Sequence, residues 1–324
     1  MLNHQMISNS KKIAITLLCL ITTLGCYRVP NKLEPQISYL VQDKYIRSLE
    51  ASFAPLTKQE REQEWGKEYF IGVAFAKKLD LYRAVTAFKR AEILIPSNLY
   101  HRKQEVEYYE ILSYYLGKRY EEVLDTFDDS SLCVIDSTFP TYHDLLVILY
   151  ECYLHTEKED KANNILNIIK HHYPETAKDL ELSTALTMGN LDDLKKLSYN
   201  PELRSSTREL LTAYNHEKKS ISKAQKLNAI LPGMGYLYVK QKQSALTATL
   251  LNGLFIAAAT HFFLHGHTSA GIIFSSFEAG WYFGGIYGAG EAAKLYNERV
   301  YEGKALTTLN QNKLFPIFML NYGF

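Results

Sequence analysis

Four side chains that could support chemistry lie near one end of a long apolar stretch. His261 and His265 are four residues apart, so a helix would place both on one face, and His267 follows closely. Imidazole nitrogens bind metal ions and exchange protons near neutral pH, so these histidines and Glu278 could form a metal or proton site. The alternative is a polar turn between two helices, with the histidines at a membrane surface. The sequence favours this second interpretation.

Other arrangements for catalysis do not stand out. The sequence has no evident grouping of serine, histidine and acid and no paired-cysteine motif. "PGMG" at 232–235 lacks the glycine spacing and the lysine–serine pair of a phosphate-binding loop. The net charge of +1 provides no basic excess for nucleic acid. We therefore expect a protein that is not an enzyme and that has no cofactor, no metal and no nucleic-acid partner.

Helical periodicity of apolar residues dominates the middle of the chain, from about residue 68 to residue 197. The clearest unit is "YFIGVAFAKKLDLYRAVTAFKRAEILIPS". Its small residues allow two helices to approach, Phe75 and Phe88 fill the space between them, and Pro96 ends the second helix. This order of small and large residues resembles a tetratricopeptide repeat, so the resemblance implies an all-α solenoid.

Three further units of this kind follow. Their second helices carry equivalent landmarks, which are Ala84, Val123, Ala162 and Leu194. The first two spacings between landmarks are equal, and both exceed the family period of about 34 residues, whereas the third is slightly shorter. The two longer spacings predict extra loop residues near 98–104 and 130–139. The repeat domain is assigned to 65–218, after a tether and leading helix at 27–64.

Tetratricopeptide solenoids bind a peptide or a partner protein in a groove lined by the first helix of each unit. The resemblance therefore implies a protein partner here. The aromatic run on one first helix makes Tyr108, Tyr109 and Tyr115 candidate groove residues. The alternative is that these rings pack between repeats, and the sequence leaves both interpretations open.

A membrane hairpin is predicted at 219–300, with spanning helices at about 243–264 and 268–290. Both stretches are long enough to cross a hydrocarbon core of about 30 Å, and neither has a polar face. Gly280, Gly284 and Gly288 recur every fourth residue, a small-residue face that favours close packing of helices in lipid and self-association of hairpins. Asn252 and Glu278 are expected to hydrogen-bond across the two helices.

The turn before the hairpin carries a second resemblance. "LPGMGYLYVKQKQSA", then "LLNGLFIAAA" and "FEAGWYFGGIYGAGEAAKLYNER", resemble a two-helix membrane module of small bacterial envelope proteins, over 228–299. No settled activity is implied. Pro232, Gly233 and Gly235 are expected to form a tight turn, with Tyr236 and Tyr238 at the membrane interface.

Residues 1–26 have the pattern of an export signal. Two lysines precede an apolar core of about a dozen residues, which ends in "TLGC". This ending resembles a lipoprotein lipobox and implies lipidation of Cys26; an ordinary cleaved signal and an uncleaved anchor are the alternatives. Export would place the repeats in the periplasm. Lysines on both flanks of the hairpin favour the cytoplasm instead, and we give the signal more weight.

Two minor features complete the sequence. Cys133 and Cys152 could form a disulfide in an oxidising compartment, or could remain two small buried side chains. In the C-terminal tail, 301–324, the alternation of Phe318, Leu320, Tyr322 and Phe324 predicts a strand or interfacial segment that packs on the rest of the protein.

Together these features predict a membrane-anchored, tetratricopeptide-like scaffold of the bacterial envelope that binds a protein partner, with a role in envelope assembly or trafficking. One alternative is a small-solute channel or transporter element built from hairpins. Another is a metal-dependent membrane enzyme.

Overall fold

The structure is a computed structural model in which residues 29–38, 43–199 and 204–324 are described. Within these ranges the chain is almost entirely helical, and its two strands have two residues each. The predicted all-α class is therefore confirmed. The export signal and Cys26 lie outside the described residues, so both remain predictions.

The N-terminal part begins with short elements and continues as helices in pairs. The short elements are α1 (Asp43–Ile46), β1 (Glu50–Ala51) and α2 (Lys58–Glu62). The pairs are α3 (Glu64–Ala76) with α4 (Leu81–Leu94), α5 (Tyr100–Leu116) with α6 (Tyr120–Asp129), α7 (Tyr142–His155) with α8 (Glu159–His172), and α9 (Pro174–Thr187) with α10 (Leu191–Leu197). A 3-10 turn at Ser131–Val134 separates the second pair from the third.

The C-terminal part contains α11 (Arg204–Glu217), α12 (Ile221–Ile230), α13 (Met234–Tyr238), α14 (Lys242–Leu264) and α15 (Thr268–Gln311). A 3-10 turn at Pro316–Met319 and β2 (Tyr322–Gly323) follow. The chain divides into two compact units. The repeat unit comprises 37–187 and 306–324, and the hairpin unit comprises 188–305 together with the described residues before 37. The fourth predicted repeat is therefore divided between them.

The turns inside the helix pairs show that the repeat is structural. Leu79, Lys118, Glu157 and Gly189 each adopt a positive φ between 55° and 66°. Each of these turn residues precedes the buried landmark of its pair by the same offset, so turns and landmarks share one spacing. In the first three pairs the next amide donates to a carbonyl five residues back, which closes the preceding helix. The same local geometry thus recurs and makes each pair turn in the same way.

The core of the first pair depends on a close approach. Gly72 lies against the fully buried ring of Phe88, and a Cβ at residue 72 would be 2.6 Å from that ring. The four landmarks predicted from the sequence are likewise buried. The loop expected at 98–104 is shorter than predicted, because α5 already begins at Tyr100. The longer connection near 130–139 contains the 3-10 turn.

In the hairpin unit, α14 and α15 pack side by side near their connecting turn. Phe255 lies 6.3 Å from Phe274, and Phe262 lies 5.2 Å from the same ring. By length and composition, α14 is the one helix among the described residues that could cross a membrane. The second predicted span, 268–290, lies within the 44-residue α15, whose glycines and polar residues lower its mean hydropathy.

Candidate functional site

The three tyrosines predicted to line an open groove are buried. Tyr108 and Tyr109 lie beneath Phe53, at centroid distances of 5.9 and 5.4 Å, and Tyr109 also contacts Phe324 at 5.5 Å. Tyr115 donates a hydrogen bond to the Glu151 carboxylate of the next first helix. These rings are therefore covered by segments of the chain itself. An uncovered groove at Tyr108 and Tyr109 does not occur in this structure.

The contact of Tyr115 belongs to a repeated pattern between first helices. Tyr69 on α3 donates to Glu105 on α5, again with a separation of 36 residues. One repeat later, the hydroxyl of Tyr150 on α7 lies 2.9 Å from that of Thr184 on α9. The packing alternative for Tyr115 thus describes its position. Because buried polar groups must be paired, these bonds select the register between neighbouring pairs.

The first-helix face, formed by α5, α7 and α9 in the repeat unit, holds the tail of the chain. On α7, the fully buried Asp144 carboxylate accepts the backbone N–H groups of Asn321 and Tyr322, both at 2.9 Å. Its other oxygen accepts the Asn321 side-chain amide at 3.2 Å and lies 2.9 Å from His143 Nδ1. Asp144 thus holds the main chain of the tail through two backbone donors and also contacts one of its side chains, the Asn321 amide.

The leading segment supplies the opposite wall. The Tyr45 hydroxyl lies 2.9 and 2.8 Å from the carbonyl oxygens of Phe318 and Leu320, so its single hydrogen is shared between them. Strand β1 pairs in parallel with β2, with Glu50 opposite Tyr322 and Ala51 opposite Gly323. The tail is therefore hydrogen-bonded on both sides, in the manner of an added strand.

Two side-chain positions in the tail are tightly fitted. The Phe324 ring stacks on Phe88 at 6.5 Å and packs on Tyr109. Gly323 lies so near Leu49 that an added Cβ would be 3.2 Å from the Leu49 Cβ. These contacts favour an aromatic residue at position 324 and a small residue at position 323. The alternation predicted for 318–324 is only partly realised, because residues 316–319 form the 3-10 turn.

Sequence reasoning missed Asp144 and Tyr45. The available signal was an acid, Asp144, that directly precedes the apolar run in "YHDLLVILYECYLH", a segment whose other acid is Glu151. A carboxylate in that setting needs hydrogen-bond donors, and here most of them come from a segment 177 residues away. Nothing in the local sequence identifies those donors.

Buried acids form a second group, on α5. Burial raises the pKa of Glu110 to about 7, although Lys89 at 3.3 Å opposes the shift. Burial also raises the pKa values of Glu105 and Glu107. Glu107 and Glu110 line a surface pocket of about 390 Å³. Glu110 can therefore hold a proton near neutral pH, and the Thr126 hydroxyl lies 3.5 Å from its carboxylate.

In the hairpin unit, the predicted tight turn leads from α12 to α13. Gly233 has a φ of +97°, a left-handed conformation that glycine adopts without strain. Its N–H donates to Asn228 Oδ1 at 2.8 Å, and the Thr249 hydroxyl donates to the Pro232 carbonyl at 2.9 Å. The turn is therefore bound both to the helix before it and to α14.

The same turn packs against α15. A Cβ on Gly235 would be 2.7 Å from that of Ala289, and Gly288 lies directly beneath the Tyr236 hydroxyl. The Tyr282 hydroxyl donates to a backbone carbonyl of α12. Gly235 and Gly288 thus occupy positions where only hydrogen fits, and Tyr282 fastens α12 to α15.

The tyrosines of the turn point inward. Tyr236 and Tyr238 are half-buried against a small core that includes Ala292 and Ala293. Two lysine ammonium groups lie 5.2 Å from the Tyr238 ring. The neighbouring Leu237 is exposed. Both rings therefore help to cover α15, and their expected position at a membrane interface stays a prediction.

Gly280 and Gly284 are not packed against another element. A Cβ added to either would meet no atom within 4 Å. Both line an open groove of about 580 Å³, together with Trp281 and the first two turns of α14. The expected close packing at the repeated glycines is therefore seen at Gly288 alone.

Asn252 and Glu278 are not hydrogen-bonded to each other. The Asn252 amide donates to the Ala248 carbonyl at 2.6 Å. Within the described residues, Asn252 Oδ1 and Glu278 Oε2 are buried atoms with no hydrogen-bond partner. The hairpin thus contains two buried acceptor atoms that receive no hydrogen bond.

The histidines at the hairpin turn lie close together. The rings of His261 and His265 are 4.1 Å apart, and His265 Nδ1 lies 2.8 Å from the His261 carbonyl. In the described parts of the chain, no three histidine, cysteine or acidic side chains are arranged to hold a metal ion. Cys133 and Cys152 are free thiols, the first exposed and the second buried.

Comparisons with protein-family models, curated proteins and solved structures found no match to this chain.

Proposed function

We propose that this protein is a membrane-anchored, tetratricopeptide-like scaffold of the bacterial envelope that binds a protein partner through its repeat unit. The observation that carries the membrane part is the surface of the hairpin. Ten large apolar side chains there are between 46% and 78% exposed: Leu246, Leu250, Leu254, Ile256, Phe263, Leu264, Ile272, Ile273, Phe277 and Trp281.

This surface is costly in water. Each half-exposed side chain of this size lacks about 1 kcal/mol of the hydrophobic stabilisation that full burial would give. The ten together lack about 10 kcal/mol. Exposed apolar patches of this size are typical of membrane or protein contacts. Helix α14 has 23 residues, a length of about 35 Å, which matches a bilayer core of about 30 Å. A hairpin inserted in lipid accounts for both the exposed apolar surface and the length of α14.

Support for a protein-binding role comes from the repeat unit. Its successive helix pairs share turn geometry and inter-pair bonds, and such arrays form extended surfaces that receive peptides. The tail on the first-helix face supports this further, because an extended segment already fits there. The envelope location and lipidation at Cys26 rest on the sequence resemblance.

The membrane part is tested by alkaline extraction of membranes containing the full chain. We expect the wild-type protein to stay in the pellet. The double variant Leu250→Asp, Leu254→Asp should be extracted, since each acid at the centre of a spanning helix costs about 3 kcal/mol. The matched control is Ile93→Asp, an exposed position on α4. Wild-type protein that is extracted like the double variant contradicts the anchor.

The location and partner are tested in cells. A tag inserted after Gln225 should be cleaved by external protease only after the outer membrane is opened. Photo-cross-linking from exposed repeat positions such as Ile93 and Tyr82 should give one discrete adduct. A cytoplasmic tag would overturn the export assignment, and the absence of any adduct would weigh against a partner on this surface.

A second candidate function, a small-solute channel element, is favoured by one observation. Glu278 and Asn252 place unpaired polar atoms within an apolar hairpin, as groups along a solute path do. We expect Glu278→Gln to abolish solute flux into proteoliposomes if this candidate holds. Equal flux through the wild-type and variant proteins would remove it.

A further inference from the structure

We propose that the first-helix face of the repeat unit is a binding site for an extended peptide in which a small residue is followed by phenylalanine, and that the 314–324 tail occupies this site until a segment of the same chemistry from another polypeptide replaces it. This inference rests on the proposed function as a protein-binding scaffold and names the ligand class.

Main-chain contacts carry the first step of the argument. Asp144 accepts hydrogen bonds from two backbone N–H groups, the Tyr45 hydroxyl shares its hydrogen between two backbone carbonyls, and β1 pairs with β2. None of these contacts depends on the side chains of the tail. Any extended segment could make them, which is the logic by which a strand added to an edge gains affinity.

Specificity comes from two positions. The Phe324 ring occupies a site walled by Phe88 and Tyr109, and it is almost fully buried. Gly323 lies against the backbone of residues 46 and 49, where an added Cβ would be 3.1 Å from the Ile46 carbonyl oxygen, so a small residue fits best. A ligand therefore needs a small residue followed by an aromatic one, preceded by an apolar residue equivalent to the buried Leu320.

The segment that connects α15 to the tail has features that would allow the tail to leave its site. Helix α15 ends at Gln311, and residues 311–313 form an exposed turn in which Lys313 has a φ of +54°. Burial of the tail begins again at Leu314. A tethered segment competes at a high effective concentration, so an incoming peptide displaces it only when the tether is loosened or the competing segment binds more tightly.

The test uses the full chain in detergent with a specific protease site inserted between Asn312 and Lys313. After cleavage, residues 313–324 are held without a covalent bond. A fluorescent peptide of this sequence is then added, and its anisotropy is followed. We expect saturable uptake and release of the original segment. A scrambled peptide of the same composition should not bind.

Variants identify the site. Phe324→Ala in the peptide should weaken binding about 100-fold, because a buried aromatic ring is lost. Asp144→Asn in the protein should weaken binding about 10-fold through loss of charge-assisted bonds. Asp128→Asn, at an exposed position of α6, should leave the affinity unchanged. Equal binding of the wild-type and Phe324→Ala peptides overturns the proposal.

A second measurement does not require cleavage. In the intact chain, Phe324→Ala loosens the tethered tail, so the labelled wild-type peptide should bind about 10-fold more tightly than to the wild-type chain. A folded, cleaved protein that neither releases its segment nor admits the peptide shows that the tail is a permanent part of the fold. The other discriminating result is a peptide that fails to exchange with the tail while a cross-linked adduct still forms on the repeat surface in cells. That result would support the scaffold function and overturn the peptide site proposed here.

Discussion

Replacing Asp144 tests whether the tail is held by the contacts described above. Its carboxylate is fully buried and accepts the backbone N–H groups of Asn321 and Tyr322 at 2.9 Å. Asp144→Ala removes the acceptor of both bonds and leaves two part-buried donors unpaired, each costing about 1–3 kcal/mol. With the small cavity added, we expect the free energy of unfolding of the repeat unit to fall by about 4 kcal/mol.

Asp144→Asn should be milder for a geometric reason. The amide oxygen can take the place of the oxygen that receives both N–H groups. The amide NH₂ then faces His143 Nδ1 and the Asn321 side chain, and both can change tautomer or orientation to accept it. Only the charge assistance is lost, so we expect a cost of about 2 kcal/mol.

Urea unfolding in detergent, followed by tryptophan fluorescence, measures the decrease in the free energy of unfolding for both Asp144 variants. The chain has two tryptophans, so Trp281→Phe leaves the buried Trp65 as a reporter of the repeat unit. Each Asp144 variant is compared with and without truncation after Asn312. In the truncated chain the cost of Asp144→Ala should be smaller by about 2 kcal/mol, because the two backbone donors are absent. An equal cost in both chains would refute the role given to Asp144.

Three further predictions concern other parts of the chain. Because burial raises the pKa of Glu110 to about 7 from 4.5, the contribution of Glu110 to the stability of the repeat unit should be greatest below pH 4.5 and should fall by up to about 3 kcal/mol as the pH rises through 7. Glu110→Gln should flatten this dependence in urea unfolding at several pH values. Gly72→Ala should lower the stability by about 1–2 kcal/mol, because its Cβ meets a buried ring, whereas Gly303→Ala, in open space on α15, should raise it by about 0.5 kcal/mol. Thermal melts that rank the two alanine variants in the reverse order would contradict this. Cys133 should react with maleimide in the folded protein and Cys152 only after denaturation, as read by peptide mass mapping.

The repeat architecture was largely predictable because its determinants are local. Small residues, aromatic residues and turn positions recur at fixed spacing, so each pair forms from its own sequence. The landmarks Ala84, Val123, Ala162 and Leu194 are buried as the pattern requires. The glycine turn at 232–235 was predictable for the same reason, since a proline–glycine sequence favours a tight turn whatever lies around it.

The candidate sites were less predictable because their partners are distant in sequence. An aromatic run predicts a ring-rich helix face, but it does not say what covers the face. Tyr109 is covered by Phe324, the last residue of the sequence, and nothing near Tyr109 in the chain points to that ring. Likewise, the glycine period marked 280, 284 and 288 equally. Only the docking of Tyr236 distinguishes Gly288 from the other two.

The sequence by itself determined the helical class, the repeat and the apolar hairpin, because periodicity and turn chemistry act over a few residues. The tertiary structure alone decided that the tail occupies the first-helix face. It also decided that Asp144 and Tyr45 hold the tail there. Hydrogen bonds between segments far apart in the chain produce no recurring spacing of residues in the sequence. They form only after the repeat has brought α5 and α7 side by side.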